Sequence, residues 1–316
     1  MSYAIKPFTE EHISAAVALF AQNYNTARTA LPLLPARAIE DKTWIANELS
    51  ARLKSETGAI CLREDKLAGY MLTCHRFPFK GQRTVLCSEY AHSAQQHNRE
   101  DIYRQLYAAL SAEWVADGAQ LHIIGHLATD STVKETLYQL GFGAILAERL
   151  RATEPLDVRI DAEITCEKNG DSLIDLHAEH MGYYSRAPIF VRKDSSRANA
   201  QKELAEYGAE DEFLIYRDEA GIACAYFIVG ESGNEEGFLL QKTHTAQIKN
   251  AYVQAHLRGQ GIGRVLLDQA IRWAKDRGFA RVFVEHETAN RHGSHFWSRH
   301  FAPYLYISAR YVDKSL

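Results

Sequence analysis

Long apolar runs, paired cysteines and a strong charge of either sign are all missing from this 316-residue sequence, and each absence closes off a class of protein. No apolar run approaches the ~18 residues needed to span a bilayer. The net charge of −4 gives no electrostatic reason to expect nucleic acid or an anionic membrane as partner. The five cysteines, Cys61, Cys74, Cys87, Cys166 and Cys224, are odd in number, and no two form a C-x-x-C pair. Most fall in or near apolar, strand-like runs, which reads as buried reduced thiols rather than a disulfide framework. The first residues, Met-Ser-Tyr-Ala-Ile-Lys, lack the basic region and apolar stretch of a signal peptide, and a cytoplasmic protein is expected. What is present is ordinary globular composition, 46% hydrophobic and 24% charged. The length suggests two domains at about 100–200 residues each.

The chain reads as alternating strands and helices, an α/β protein on mixed sheet. In the first half, Tyr3–Lys6 is strand-like and Thr9–Ala21 helical with Thr9 as N-cap. A loop at Leu31–Pro35 and a helix over Asp41–Ser55 follow. Ala59–Arg63 and Leu67–Cys74 form a hairpin around Glu64-Asp65, and Thr84–Ala91 is a strand. Helices at Asp101–Asp117 and Thr132–Leu140 alternate with strands at Leu121–Gly125 and Ala144–Leu150. Residues 151–162, with Pro155 and several acidic residues, read as a linker between domains 1–150 and 163–316. The second half repeats the order: helices at Asp171–Tyr184 and Ser196–Tyr207, strands at Phe213–Arg217, Gly221–Val229 and Thr245–Val253, a helix at Ile262–Arg277, a strand at Arg281–His286, a helix at Ser294–Arg299 and a last strand at Tyr304–Arg310.

The halves align without a gap at an offset of 159 residues. Leu137–Phe142 falls on Phe296–Phe301, Leu121–Ile124 on Ala280–Phe283, and His97-Asn-Arg99 on His256-Leu-Arg258. Self-similarity at this length points to a duplicated domain rather than a short solenoid repeat.

The most informative segment is Val253-Gln-Ala-His-Leu-Arg-Gly-Gln-Gly-Ile-Gly263. A strand ends at Val253, and a helix opens near Ile262 with Val265, Leu266, Ala270, Ile271 and Ala274 at helical spacing. Three alternating glycines between them let the backbone approach a ligand and take φ > 0. Successive N–H groups in such a turn make an anion-binding concavity, and the helix N-terminus adds its dipole. With Arg258 beside them, the ligand called for is a phosphate or pyrophosphate. The spacing is not the G-x-G-x-x-G of a dinucleotide fold, and no Lys-Ser or Lys-Thr pair follows as in a phosphate-binding G-x-x-x-x-G-K-[ST] loop. A tight glycine turn without a ligand is the plain structural alternative.

Val253-x-x-x-x-Arg258-Gly-x-Gly-Ile-Gly263 resembles the acetyl-CoA pyrophosphate loop of the GNAT superfamily of N-acetyltransferases, and Asn290 with Phe296-Trp297-x-x-His-Phe301 resembles that superfamily's next motif. The resemblance implies two tandem GNAT-like domains and acetyl-CoA as cofactor. It implies cofactor contacts from Val253, Gln254, Ala255, Arg258, Gly259, Gln260, Gly261, Ile262, Gly263, Arg264 and Asn290. Its activity would be direct attack of a primary amine, small-molecule or peptide, on the thioester. Two residues depart from the pattern: Trp297 stands where the family often has a Tyr acting as general acid, and His300 where it has Gly. In the first half the loop maps onto Arg99-Glu-Asp-Ile-Tyr-Arg104, which keeps the arginine, loses all three glycines and adds two carboxylates. The first copy is therefore expected to keep the fold without the cofactor.

The transfer needs a base for the incoming amine and an acid for the leaving thiolate. Glu285, His286 and Glu287 follow the loop helix on the next strand, and Glu285 is the expected base. Tyr304 and Tyr306 are alternatives for the missing acid, with Tyr304 named as catalytic, though solvent also serves in that role. Tyr183-Tyr184, Arg186 and Pro188–Phe190 occupy the region bordering the acceptor cleft in the family. His292-x-x-His295 has the form of a metal pair but no third ligand in register, and no metal is expected. The competing reading is a non-catalytic acyl-CoA-binding or sensing protein, favoured by Trp297.

Overall fold

The computed structural model describes residues 3–160, 162–233, 238–241, 243–313 and 315. These fall into two compact units. Unit 1 runs to Glu148 and takes back two later pieces, within Asn234–Gln241 and Pro303–Leu316; unit 2 is Arg149–Gly233 and Lys242–Ala302.

In unit 1 the order is β1 (Ala4–Pro7), α1 (Ile13–Ala30), α2 (Arg37–Glu40), α3 (Lys42–Leu53), β2 (Gly58–Arg63), β3 (Lys66–Leu72), β4 (His75–Phe79), β5 (Gln82–Cys87), β6 (His92–Ala94), α4 (Arg99–Ala116), β7 (Leu121–Leu127) and α5 (Ser131–Gln139). The division falls inside β8 (Gly143–Arg151). Helix α1 runs nine residues beyond its expected end at Ala21. Its Asn-Tyr-Asn-Thr stretch has weak helix propensity, but burial of Phe20, Tyr24 and Ala27 overrides it. The expected strand Thr84–Ala91 ends at Cys87 as β5, and a separate short strand, β6, follows it at His92–Ala94. β5 pairs in parallel with β7 from Thr84↔Leu121 to Cys87↔Ile124, and β6 then pairs antiparallel with β3. The chain thus leaves β7 after Cys87. The other edge of β7 takes the last strand, β14 (Ala302–Tyr311), antiparallel from Leu305↔Leu127 to Tyr311↔Leu121. Residues 303–313 therefore belong to unit 1 and not to the domain at 163–316 that the sequence suggests, because an open edge of β7 is closed by the chain's own last strand.

Unit 2 consists of β9 (Ile164–Glu167), α6 (Ile174–Tyr183), α7 (Arg197–Ala205), β10 (Glu212–Arg217), β11 (Ala223–Glu231), β12 (Thr245–Val253), α8 (Ile262–Asp276), β13 (Arg281–Glu287) and α9 (Arg291–His300). Strands β9 to β12 pair antiparallel in sequence order. Leu266, Leu267, Ala270 and Ile271 of α8 pack with Leu214, Ala225 and Phe227 on one face. Leu173, Ile174, Leu176, Ala200 and Leu204 from the α6–α7 side pack with Phe213, Tyr226 and Ile228 on the other. The fold is thus a helix–sheet–helix sandwich. β12 and β13 are parallel and pair only from Thr245↔Arg281 to Gln247↔Phe283. Just past that point β12 carries a bulge, with Ile248 and Asn250 opposite the consecutive Val229 and Ile228. The extra residue bends β12 away from β13, and the two strands open into a wedge. Among the described residues, no helix is long and apolar enough to cross a membrane.

Candidate functional site

The glycine loop sits at the open end of this wedge. After Val253 the chain makes a 3-10 turn over Ala255–Leu257, and Arg258 turns back so that its Nε donates to the Val253 carbonyl at 2.9 Å. Gln260 ties the turn down through Nε2 to the His256 carbonyl at 2.8 Å. Gly259 has φ +83° and Gly261 φ +89°, a region costly for any residue with a Cβ. Gly261 is the N-cap of α8 and contributes no side-chain cap. The first N–H groups of α8 therefore depend on an external acceptor. Gly263 lies 3.4 Å, by its would-be Cβ, from Phe296, which lets α8 lie close to α9. A Cβ at Gly259 would meet nothing within 4 Å, so that side of the loop is open. Arg258 and the exposed Arg264 supply positive charge. The loop thus has the donors, room and charge for a pyrophosphate.

The segment expected as a linker packs on this loop. The Leu156 N–H donates to Asp268 Oδ1 at 2.7 Å, Arg264 Nη2 donates to the Asp157 carbonyl at 3.1 Å, and the Ile160 side chain lies against Gly261.

Beside the loop, the α6-facing side of β12 carries Asn250, Tyr252 and Gln254. Tyr252 donates its hydroxyl to Glu179 Oε1 at 2.9 Å, and Gln254 Nε2 donates to Glu179 Oε2 at 2.7 Å. The Arg258 guanidinium stands 4.8 Å over the Tyr183 ring and 5.6 Å from that of Tyr252. Tyr183 donates its hydroxyl to Asn290 Oδ1 at 3.1 Å, and the same oxygen caps α9 by accepting from Gly293 N–H. Burial, and then the bond to Glu179, push the Tyr252 phenol up to about 12 despite Arg258.

Deeper in unit 2 lies a directed chain of polar groups. His177 Nε2 is 2.9 Å from Glu203 Oε2, while His177 Nδ1 and His180 Nδ1 lie 2.7 and 2.8 Å from one oxygen, Tyr226 Oη. The Glu203 carboxylate can only accept, so His177 carries its proton on Nε2 and its Nδ1 takes the hydroxyl proton of Tyr226. Tyr226 has one proton to give, so His180 must donate from Nδ1. That assigns the lone pair of His180 to Nε2, which takes no partner among the described residues. Burial, followed by the neighbouring His177 and then the charges of Lys193 and Arg258, holds His180 well below the usual histidine range, so it is a neutral imidazole. Burial likewise lowers His177, against the pull of Glu203.

The sequence singled out neither His177 nor His180, since two histidines three apart on an otherwise apolar helix face read as core. Of the expected residues, Val253–Arg264 and Asn290 come together at the wedge. Glu285 is exposed on β13. Tyr304 lies in unit 1, 1% exposed, its hydroxyl donated to Glu89 Oε1 at 3.1 Å. Trp297 is buried against Phe227, Phe296 and Phe301. His286 is held between Arg149 Nε at 2.9 Å and the Glu287 carbonyl at 3.1 Å.

Among its described residues, unit 1 has no such loop. At the corresponding place α4 begins directly at Arg99 after Asn98 in the left-handed region, and Glu100 and Asp101 occupy its first turn. These carboxylates complement the helix dipole themselves. Arg99, the counterpart of Arg258, is buried and paired with Asp130 Oδ2 at 2.6 Å.

Residues 173–301 match the model of the acetyltransferase (GNAT) family. An uncharacterized N-acetyltransferase of Methanocaldococcus jannaschii is 30% identical over 96 residues, which is 28% of this chain and 41% of that protein. A GCN5-related N-acetyltransferase from Sphaerobacter thermophilus shares the fold at a TM-score of 0.55 and 14% identity, over 98% of this chain and 95% of that one. The glucosamine N-acetyltransferase region of a fungal multi-domain β-N-acetylglucosaminidase does so at 0.55 and 12%, over 98% of this chain and 38% of that one.

Proposed function

We propose, from the premise that the chain belongs to the acetyltransferase (GNAT) family through residues 173–301, that it is an N-acetyltransferase moving an acetyl group from acetyl-CoA to a primary amine on a small molecule or peptide. The observation that carries this reading is the glycine loop placed where β12 parts from β13. The N–H groups of Gly259, Gly261, Ile262 and Gly263, with Arg258 and Arg264, would hold the pyrophosphate. Val253, Gln254 and Ala255 would flank the pantetheine arm in the wedge, with Asn290 across from them. Bound there, the thioester supplies the acyl group and the leaving thiolate.

His180 is our candidate base. A proton taken from the amine at Nε2 is matched by transfer of the Nδ1 proton to Tyr226, of the Tyr226 proton to His177, and of the His177 Nε2 proton to Glu203. One proton thus leaves the cleft for a half-exposed carboxylate, and no charge is left on a buried ring. Glu179, exposed beside Gln254, offers a negative charge to an incoming ammonium. Tyr183, under Arg258 and bonded to Asn290, is the phenol placed to return a proton to the thiolate. Glu285 remains the alternative base, as an exposed group working through water.

The test is thiol release from acetyl-CoA in the presence of a panel of primary amines. Amine-dependent release at more than about a hundred times the hydrolytic rate supports transfer. The burial of Trp297 favours the second reading, a protein that binds acyl-CoA without turnover. Tight calorimetric binding of acetyl-CoA with release no faster than hydrolysis would select it.

A further inference from the structure

Unit 1 holds a cavity of about 210 Å³ where β6 and β7 diverge. That is below the ~300–1,000 Å³ typical of drug-sized ligands, and suits a small metabolite. Its floor is buried and polar: Glu89, His92, Ser93, Arg99 and His126 are each under 7% exposed. Its rim, including Thr26, Gln96 and Thr132, is exposed, so the floor is reached from solvent.

The charges on the floor do not balance. Arg99 is committed to Asp130 Oδ2 and, through Nη1, to the Ala94 carbonyl at 2.8 Å. His92 is fixed between the Gly125 carbonyl and Tyr103 Oη, both at 2.8 Å, which spends both ring nitrogens of a neutral imidazole. Glu89 has no cation beside it among the described residues. Its Oε1 accepts from Leu239 N–H at 3.0 Å and from the Tyr304 hydroxyl, while Oε2 accepts nothing among the described residues. His126 Nδ1 is also buried without a partner. A buried carboxyl lacking a counter-charge is expensive unless something supplies one. Acyl-CoA does not suit the site, since the glycine loop is absent and Glu100 and Asp101 stand in its place.

We infer that this cavity is a binding site for a small primary ammonium compound, with Glu89 as its counter-ion and Ser93 as a further hydrogen-bonding partner. A buried carboxyl with no counter-charge among the described residues, beside an apolar wall of Phe20, Tyr24 and Ala27, fits a short aliphatic amine better than an anion. The site is separate from the proposed transfer chemistry of unit 2 and stands or falls without it.

Saturation-transfer NMR on the full chain tests it, with ethanolamine, 1,4-diaminobutane and glucosamine as cationic probes and acetate as the anionic one. At least one amine is expected to bind, with affinity falling about tenfold or more in Glu89→Gln. The same loss is expected in Thr26→Trp, an exposed rim substitution that fills the mouth without touching the core. His180→Ala, in unit 2, should leave this binding unchanged. If Glu89→Gln does not fold, Thr26→Trp decides alone. Absence of amine binding, binding lost only in His180→Ala, or tighter binding of acetate than of any amine would each overturn the assignment.

Discussion

The imidazole of His180 lies flat on the phenol of Tyr252, ring centroids 4.7 Å apart and planes within 20°. That stacking fixes the ring while Tyr226 holds its Nδ1, so Nε2 has one direction in which to present its lone pair. If the relay carries the proton, Tyr226→Phe should lower kcat/KM by about 100-fold, within the range of a lost acid–base group. Acetyl-CoA affinity measured by calorimetry should stay within about twofold of the wild type. His180→Gln should match it in rate. Tyr226→Phe also strands the Nδ1 atoms of His177 and His180 and should cost ~1–3 kcal/mol of stability. A Tyr226→Phe enzyme with wild-type turnover would remove the relay from the mechanism.

The loop makes a sharper claim about geometry. Gly261→Glu places a carboxylate in the anion site at φ +89°, and its Cβ runs into Ile160. Calorimetric titration should find acetyl-CoA binding at one site per chain in the wild type and none in this variant. Two causes are then mixed, charge and collision, and a second pair separates them. Gly261→Ala with Ile160→Ala relieves the collision and should recover measurable binding, weakened by the backbone strain of about 1–2 kcal/mol. Gly261→Glu with Ile160→Ala should remain without binding. Equal recovery in both pairs would mean that sterics alone closed the loop.

Two phenols are candidates for the acid role. Tyr304 is bonded to Glu89 inside unit 1, so Tyr304→Phe should destabilise that unit by ~1–3 kcal/mol and leave the rate of thiol release unchanged. Tyr183→Phe should lower kcat about tenfold or more while its fold, read by circular dichroism, is retained. The reverse pattern would return the role to Tyr304.

How far the sequence reached is visible in these residues. The loop was legible because three glycines at a strand–helix junction have a local physical meaning that needs no partner. The duplication was legible as register, and the loss of the loop in the first copy as substitution at fixed positions. Tyr304 was misplaced because strand pairing across nearly 180 residues, β14 against β7, leaves no local mark. His177, His180, Tyr226 and Glu203 were missed for the same reason: their meaning lies in four side chains from three elements linked in one hydrogen-bonded chain. The i, i+3 histidine spacing on α6 was the available signal. It becomes informative only when a tyrosine is known to face it.

The buried histidines of unit 1 make its stability depend on pH with a definite sign. His92, His122 and His126 each titrate at about 4 in the folded chain, chiefly because burial penalises the charged ring. In the unfolded chain they return to about 6.5. Between these values the unfolded state binds protons that the folded state refuses. Stability is therefore at its full value above about pH 6.5 and falls as pH drops, by up to ~1.4 kcal/mol per pH unit for each histidine, until about pH 4. Hydrogen exchange followed by mass spectrometry on β7 peptides, at pH 7, 6 and 5 and corrected for intrinsic rates, reads this out within unit 1. Among the described residues His122 has one hydrogen-bond partner, Tyr107 Oη at 2.9 Å, and a buried Nε2 with none, so His122→Phe removes a titrating group at modest structural cost. The slope of protection against pH should flatten by about a third in that variant. An unchanged slope would mean that His122 accepts a proton without opening the fold, and that acid sensitivity in unit 1 comes from other groups.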